Sequence, residues 1–147
     1  MGILLAEERE FIKVISRIDD SVNCTDDEYN EYLKTLDENY LGLSDDSLPV
    51  RFVLKTKLNY KEVRQIKKDQ VAVTEAGMGV NVGFTMLDVR LSLVDIENPS
   101  HPRLNFRKGK DGLADEELIS LLDSLGIVSD LYQAKQNCIK PPVSKKN

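Results

Sequence analysis

The sequence predicts a small, mainly helical α+β domain: a short β element, several amphipathic helices and an N-terminal two-helix arm. Three observations carry this. Apolar residues recur at helical spacing in most of the chain. One short stretch, Pro49–Lys55, alternates instead, as a half-buried strand does. The charge is divided, with thirteen acids and four bases up to Leu48 (net −9) and twelve acids and sixteen bases after it (net +4), giving the overall −5. A chain of 147 residues can bury a core without disulfides or a metal.

The segments in order are an acidic helical arm over 1–48, a mainly helical core over 49–138 and a disordered tail over 139–147. In the arm, Phe11, Ile15 and Ile18 fall at helical spacing, with Leu4, Ile12 and Val14 widening the stripe, so Leu5–Asp19 reads as an amphipathic helix. Thr25 and Glu28 stand at capping-box spacing before a second helix. Tyr29, Tyr32, Leu33, Leu36 and Tyr40 line one face of it. Such tyrosines serve either as core-edge residues or as an interaction face, since each joins a large apolar body to a polar tip. Gly42, Ser44, Asp45, Asp46 and Ser47 then make a turn-forming linker, the expected boundary between arm and core.

In the core, Val50, Phe52 and Leu54 alternate with Arg51 and Lys55, while Val53 breaks the pattern. Asn59 and Glu62 are spaced to cap a following helix that carries Val63 and Ile66. The glycines of 76–83 match neither the dinucleotide fingerprint nor a phosphate loop, and read as a flexible connection. Phe84–Ile96 is apolar on most sides and reads as a buried helix; a β-hairpin over Val80–Ile96 fits the same residues. Pro99 and Pro102 demand a loop. Leu104–Lys108 reads as a short strand and Lys108–Gly112 as an exposed turn. Leu113–Leu125 is a helix with Leu118, Leu121, Leu122 and Leu125 as its stripe, and Gly126 is placed for a left-handed cap. Ser129 is the expected cap of a final helix.

No catalytic, cofactor or metal set is legible. Cys24 and Cys138 lie far apart and read as unpaired thiols. His101 is the single histidine, between prolines, and reads as a loop residue. The acid pairs Asp19-Asp20, Asp26-Asp27 and Asp45-Asp46 are adjacent in sequence and so diverge in direction. With no nucleophile–base pair or phosphate loop, no mechanism can be assembled, and a non-enzyme is expected. The basic charge is too sparse for nucleic acid. The apolar run within Met1–Ala6 is too short for a secretory or membrane segment, so a cytoplasmic protein is expected.

The order of parts resembles the tail assembly chaperones of long-tailed bacteriophages. The residues concerned are Phe52-Val53-Leu54-Lys55 followed by Leu58-Asn59-Tyr60-Lys61-Glu62, an apolar helix ending at Ile96-Glu97-Asn98-Pro99, a loop, and a Leu-rich helix. The likeness covers 49–138 and is architectural; the acidic arm is not part of it. It implies a non-enzymatic protein, without cofactor, that self-associates and holds a tape measure or tail tube protein in the host cytoplasm during tail assembly. It also implies a longer form made by ribosomal slippage, for which an A-rich run at Lys145-Lys146 would serve. Residues available to bind such a partner are Tyr29, Tyr32 and Tyr40 on the arm, with Leu121 and Leu125 at the far end. The alternative is a small cytoplasmic adaptor or regulatory protein that binds one protein through its acidic arm.

Overall fold

The computed structural model describes residues 10–58, 61, 64 and 80–139, with the backbone alone over 80–84 and at 139. Several expectations lie outside these residues: the start of the first expected helix, the Asn59–Glu62 capping box, the glycines at 77 and 79, and the tail from Lys140. Within them the chain is a mixed α+β structure, with four α-helices and one three-stranded antiparallel sheet.

The strands are β1 (Phe11–Val14), β2 (Arg51–Lys55) and β3 (Leu93–Glu97), in that spatial order. β2, the half-buried strand that the alternation predicts, is the central one. Ile12 pairs with Leu54 and Val14 with Phe52, while Phe52 also pairs with Ile96. These residues all point to one buried face. Val53 breaks the alternation: it lies on the opposite, more exposed face, yet is itself buried among its cross-strand neighbours. It pairs with Lys13 on one side and Asp95 on the other. A 2.8 Å Lys13–Glu97 ion pair joins the two outer strands across that face.

The first element corrects the sequence reading. In its described part, from Glu10 on, the expected helix over Leu5–Asp19 is strand β1 followed by a turn, so among the described residues the first helix of the expected two-helix arm is not seen. Ile12 and Val14 turn inward while Phe11, half of the expected helical stripe's start, is 53 % exposed. Pairing with β2 satisfies the backbone and decides between two periods that the apolar residues fit equally well.

Helix α1 (Asp26–Thr35) carries the anticipated capping box. Thr25 Oγ1 accepts from Glu28 N–H at 3.1 Å, and Glu28 Oε1 accepts from Thr25 N–H at 2.8 Å. The helix is shorter than expected. Leu36 adopts a left-handed conformation (φ 58°), and Tyr40 sits in a separate 3-10 turn over Glu38–Leu41. The hydroxyls of the two helical tyrosines meet Ile15, just past β1. Tyr32 accepts from its N–H and Tyr29 donates to its C=O, both at 2.8 Å. The two phenols thus satisfy buried backbone groups that no strand reaches.

Helix α2 (Val80–Ser92) runs straight into β3. The helical reading of Phe84–Ile96 therefore holds as far as Ser92, and its last residues extend instead to pair with β2. Val80–Gly83, expected in a flexible connection, are helical. The register between β2 and β3 shifts at Val53/Leu54, where Leu54 pairs with Leu93 and Val53 with Asp95. This leaves Val94 as an extra residue, a bulge that accommodates the change from helix to strand.

Leu104–Lys108 is not a strand. Pro102–Leu104 forms a 3-10 turn in which His101 Nδ1 accepts from Arg103 N–H at 3.1 Å. The Arg107 guanidinium then donates to the carbonyls of Arg103 and Asn105. Only Lys108 makes a bridge, to Ala114. The exposed turn between them forms as expected, with Gly112 at φ 82°. Arg90 on α2 holds this turn from below. It donates to the Ala114 carbonyl at 2.7 Å and pairs with Asp111 at 2.7 Å. The backbone N–H of Leu113 and the same guanidinium hold the Asp111 carboxyl below its ordinary range.

Helix α3 (Glu116–Ser124) begins after Asp115, which accepts from Leu118 N–H. Gly126 takes the left-handed conformation at φ 78°. Helix α4 (Ile127–Ile139) starts at once after it, so Ser129 lies in the first turn and is not the cap. α4 packs against α1, α2, α3 and both β1 and β2. Its Leu131 and Ala134 are fully enclosed. Residues on both sides of the expected boundary, from Ile12 and Tyr32 to Phe52 and Leu131, share one core cluster.

Candidate protein-binding cleft

A cleft of about 370 Å³ opens at one end of the sheet. Four segments meet there: the chain leaving β1, the approach to β2, the loop after β3 and the corner between α3 and α4. Its floor is buried and apolar, built from Val50, Phe52 and Ile127. Its rim is apolar and open. Ile18 is 54 %, Leu48 76 % and Leu125 41 % exposed, and these are three of the five large apolar residues exposed in the described structure. Apolar side chains concentrated around a concave floor mark a binding surface more strongly than the same residues scattered singly.

The walls are tied down by hydrogen bonds. Asp19 accepts from Ser21 N–H and Val50 N–H, both at 2.9 Å, and so joins the turn after β1 to the start of β2. Asp130, in the first turn of α4, accepts from Ser16 Oγ at 2.9 Å and Arg17 N–H at 3.1 Å. A helix first turn is a favourable place for that carboxylate. The shape of the cleft therefore comes from the fold itself, while its rim side chains remain at the surface.

The expected partner-binding residues are dispersed. Leu125 stands on the cleft rim. Leu121, one turn earlier on α3, is half-buried. Tyr40 is at the surface of the 3-10 turn and does not line the cleft. Tyr29 and Tyr32 lie in the core with their rings 5.6 Å apart, and leave no ring surface for a partner. Burial drives both phenols far above their ordinary pKa, assisted at Tyr29 by the Asp130 charge. Ile18, read from the sequence as part of a helical stripe, and Leu48 and Leu104 were not among the expected partner-binding residues. Leu48 is the one that local composition flags, as a large apolar residue ending a polar turn.

A second, polar hollow of about 450 Å³ includes Arg17, Asp26, Asn30 and Asp130. Arg17 pairs with Asp26 at 3.0 Å, and this contact raises the guanidinium pKa further. Nearby, burial pushes the Cys24 thiol up, which favours the protonated, unreactive form. Among the described residues, no group of three or more His, Cys, Asp and Glu is placed to hold a metal ion. No helix among them is long and apolar enough to cross a membrane.

Comparison with protein-family models, with curated proteins and with solved structures finds no match.

Proposed function

We propose that this chain is a non-enzymatic tail assembly chaperone of a long-tailed phage, which holds an apolar segment of the tape measure protein in the cleft bounded by Ile18, Leu48 and Leu125. The observation that supports this reading is that exposed apolar rim over a closed apolar floor. A protein that keeps a long helical partner from aggregating needs an apolar groove whose shape persists when it is empty. Here Asp19 and Asp130 brace the groove from two sides.

The reading requires a long, coiled-coil-rich reading frame directly downstream, and the test is co-expression with its product. The wild-type chain keeps that product soluble and co-purifies with it. A Leu48→Asp, Leu125→Asp double variant folds, because both side chains are exposed, and loses the complex. A downstream product equally soluble with and without the chain would end the chaperone reading and favour the adaptor.

A further inference from the structure

We propose that the cleft selects a partner's amphipathic helix whose apolar stripe is flanked by lysine or arginine. The proposal rests on the protein-binding reading of the same cleft and adds the chemistry of what enters it. The apolar rim supplies attraction to any apolar stripe. The charges around it discriminate among stripes. Among the described residues, Asp19 and Asp20 are the two charged residues that line the cleft, and no base lines it. Asp20 is exposed and has no ion-pair or hydrogen-bond partner among the described residues. Asp19 accepts two backbone N–H groups, which fix its carboxylate in place, and no cation among the described residues pairs with it.

The same sign recurs beside each rim residue. Asp19 and Asp20 follow Ile18, exposed Asp45 and Asp46 precede Leu48, and exposed Asp123 precedes Leu125. Bases next to lining residues are mostly engaged elsewhere. Arg17 pairs with Asp26, and Arg51 holds Glu38 through two contacts of 2.7 and 3.0 Å. Arg103, beside Leu104, is the exception and marks the other end of the cleft. A docked helix therefore meets negative potential along most of the apolar rim. Rim charges of this kind act on association rate and selectivity, and they are weakened by salt.

The test uses two synthetic amphipathic peptides with leucines at i, i+3, i+4 and i+7. One carries lysines at the flanking positions and its twin carries glutamates. Each is titrated into the full-length protein by fluorescence anisotropy at low and high salt. The lysine peptide is expected to bind roughly tenfold more tightly at low salt, from two or three exposed charge pairs gained or opposed. High salt narrows the ratio. Asp20→Lys, at an exposed position, also narrows it, and Leu125→Asp removes binding of both peptides. Equal affinity for the twins, or a preference that Asp20→Lys leaves unchanged, overturns the proposal. So does failure of both peptides, whether or not sedimentation shows that a second copy fills the cleft through Leu125. In each of these cases a soluble complex with the downstream product still stands as separate support for the chaperone reading. Loss of that complex with the peptide preference intact counts against the chaperone and not against the selectivity.

Discussion

Replacing Asp88 by alanine strands an ammonium inside the protein. Lys135 Nζ on α4 lies 2.8 Å from Asp88 Oδ1 on α2, and the two side chains are only 2 % and 6 % exposed. The Ser92 hydroxyl donates to the Asp88 backbone carbonyl at 2.7 Å and stands 3.5 Å from the carboxylate, too far to replace the lysine. Both charges have left water, and each tolerates this only because the other is present. Removing one partner keeps the desolvation penalty of the survivor, at a cost of about 3–5 kcal/mol. Lys135→Met is expected to cost a similar amount, because Asp88 is then the stranded charge. Replacing both by apolar residues of similar volume removes both penalties, so the double variant is expected near wild-type stability or above it. The two changes are therefore strongly non-additive, with a coupling of about 6 kcal/mol or more. Urea unfolding followed by circular dichroism reads this directly. With a slope of roughly 2 kcal/mol/M, each single variant shifts its midpoint down by roughly 2 M. A single variant within about 1 kcal/mol of wild type at unchanged slope, or a double variant equal to the sum of the singles, would refute the argument.

Two further outcomes follow from particular residues. Burial holds Tyr29 and Tyr32 un-ionised in the folded protein, whereas unfolded tyrosine ionises near pH 10. Their raised folded pKa means that stability is complete below about pH 10 and falls as pH rises beyond it, by up to roughly 1.4 kcal/mol per unit for each phenol. Phenolate absorbance from these two residues should then appear together with loss of the dichroism signal; reversible ionisation of both near pH 10 in a folded chain would contradict this. Gly42 and Gly126 both take left-handed backbone, but a Cβ at Gly42 would meet the Asn23 carbonyl, while one at Gly126 meets nothing within 4 Å. Gly126→Ala should cost about 1 kcal/mol and Gly42→Ala clearly more, and equal midpoints in thermal unfolding would be the contrary result.

Local chemistry alone determined several parts of this protein. The Thr25–Glu28 capping box, the Gly126 reversal, the loop around Pro99 and Pro102 and the alternation of β2 each depend on residues within a few positions of one another. Their physical causes are contained in short stretches, so they are legible before any fold is known. The tertiary structure decided the rest. Phe11, Ile12, Val14 and Ile15 satisfy a helical and an extended period alike, and only the hydrogen-bonding edge of β2 makes the extended one win. Neither Gly nor Pro marks the passage from α2 to β3, because the change at Leu93 comes from pairing with Leu54. A lysine on an amphipathic helix reads as exposed, and Lys135 is buried because Asp88 comes from another helix to meet it. The cleft is of the same kind. Ile18, Leu48 and Leu125 are distant in the chain and individually ordinary, and they form a surface only where the end of the sheet meets the corner between α3 and α4.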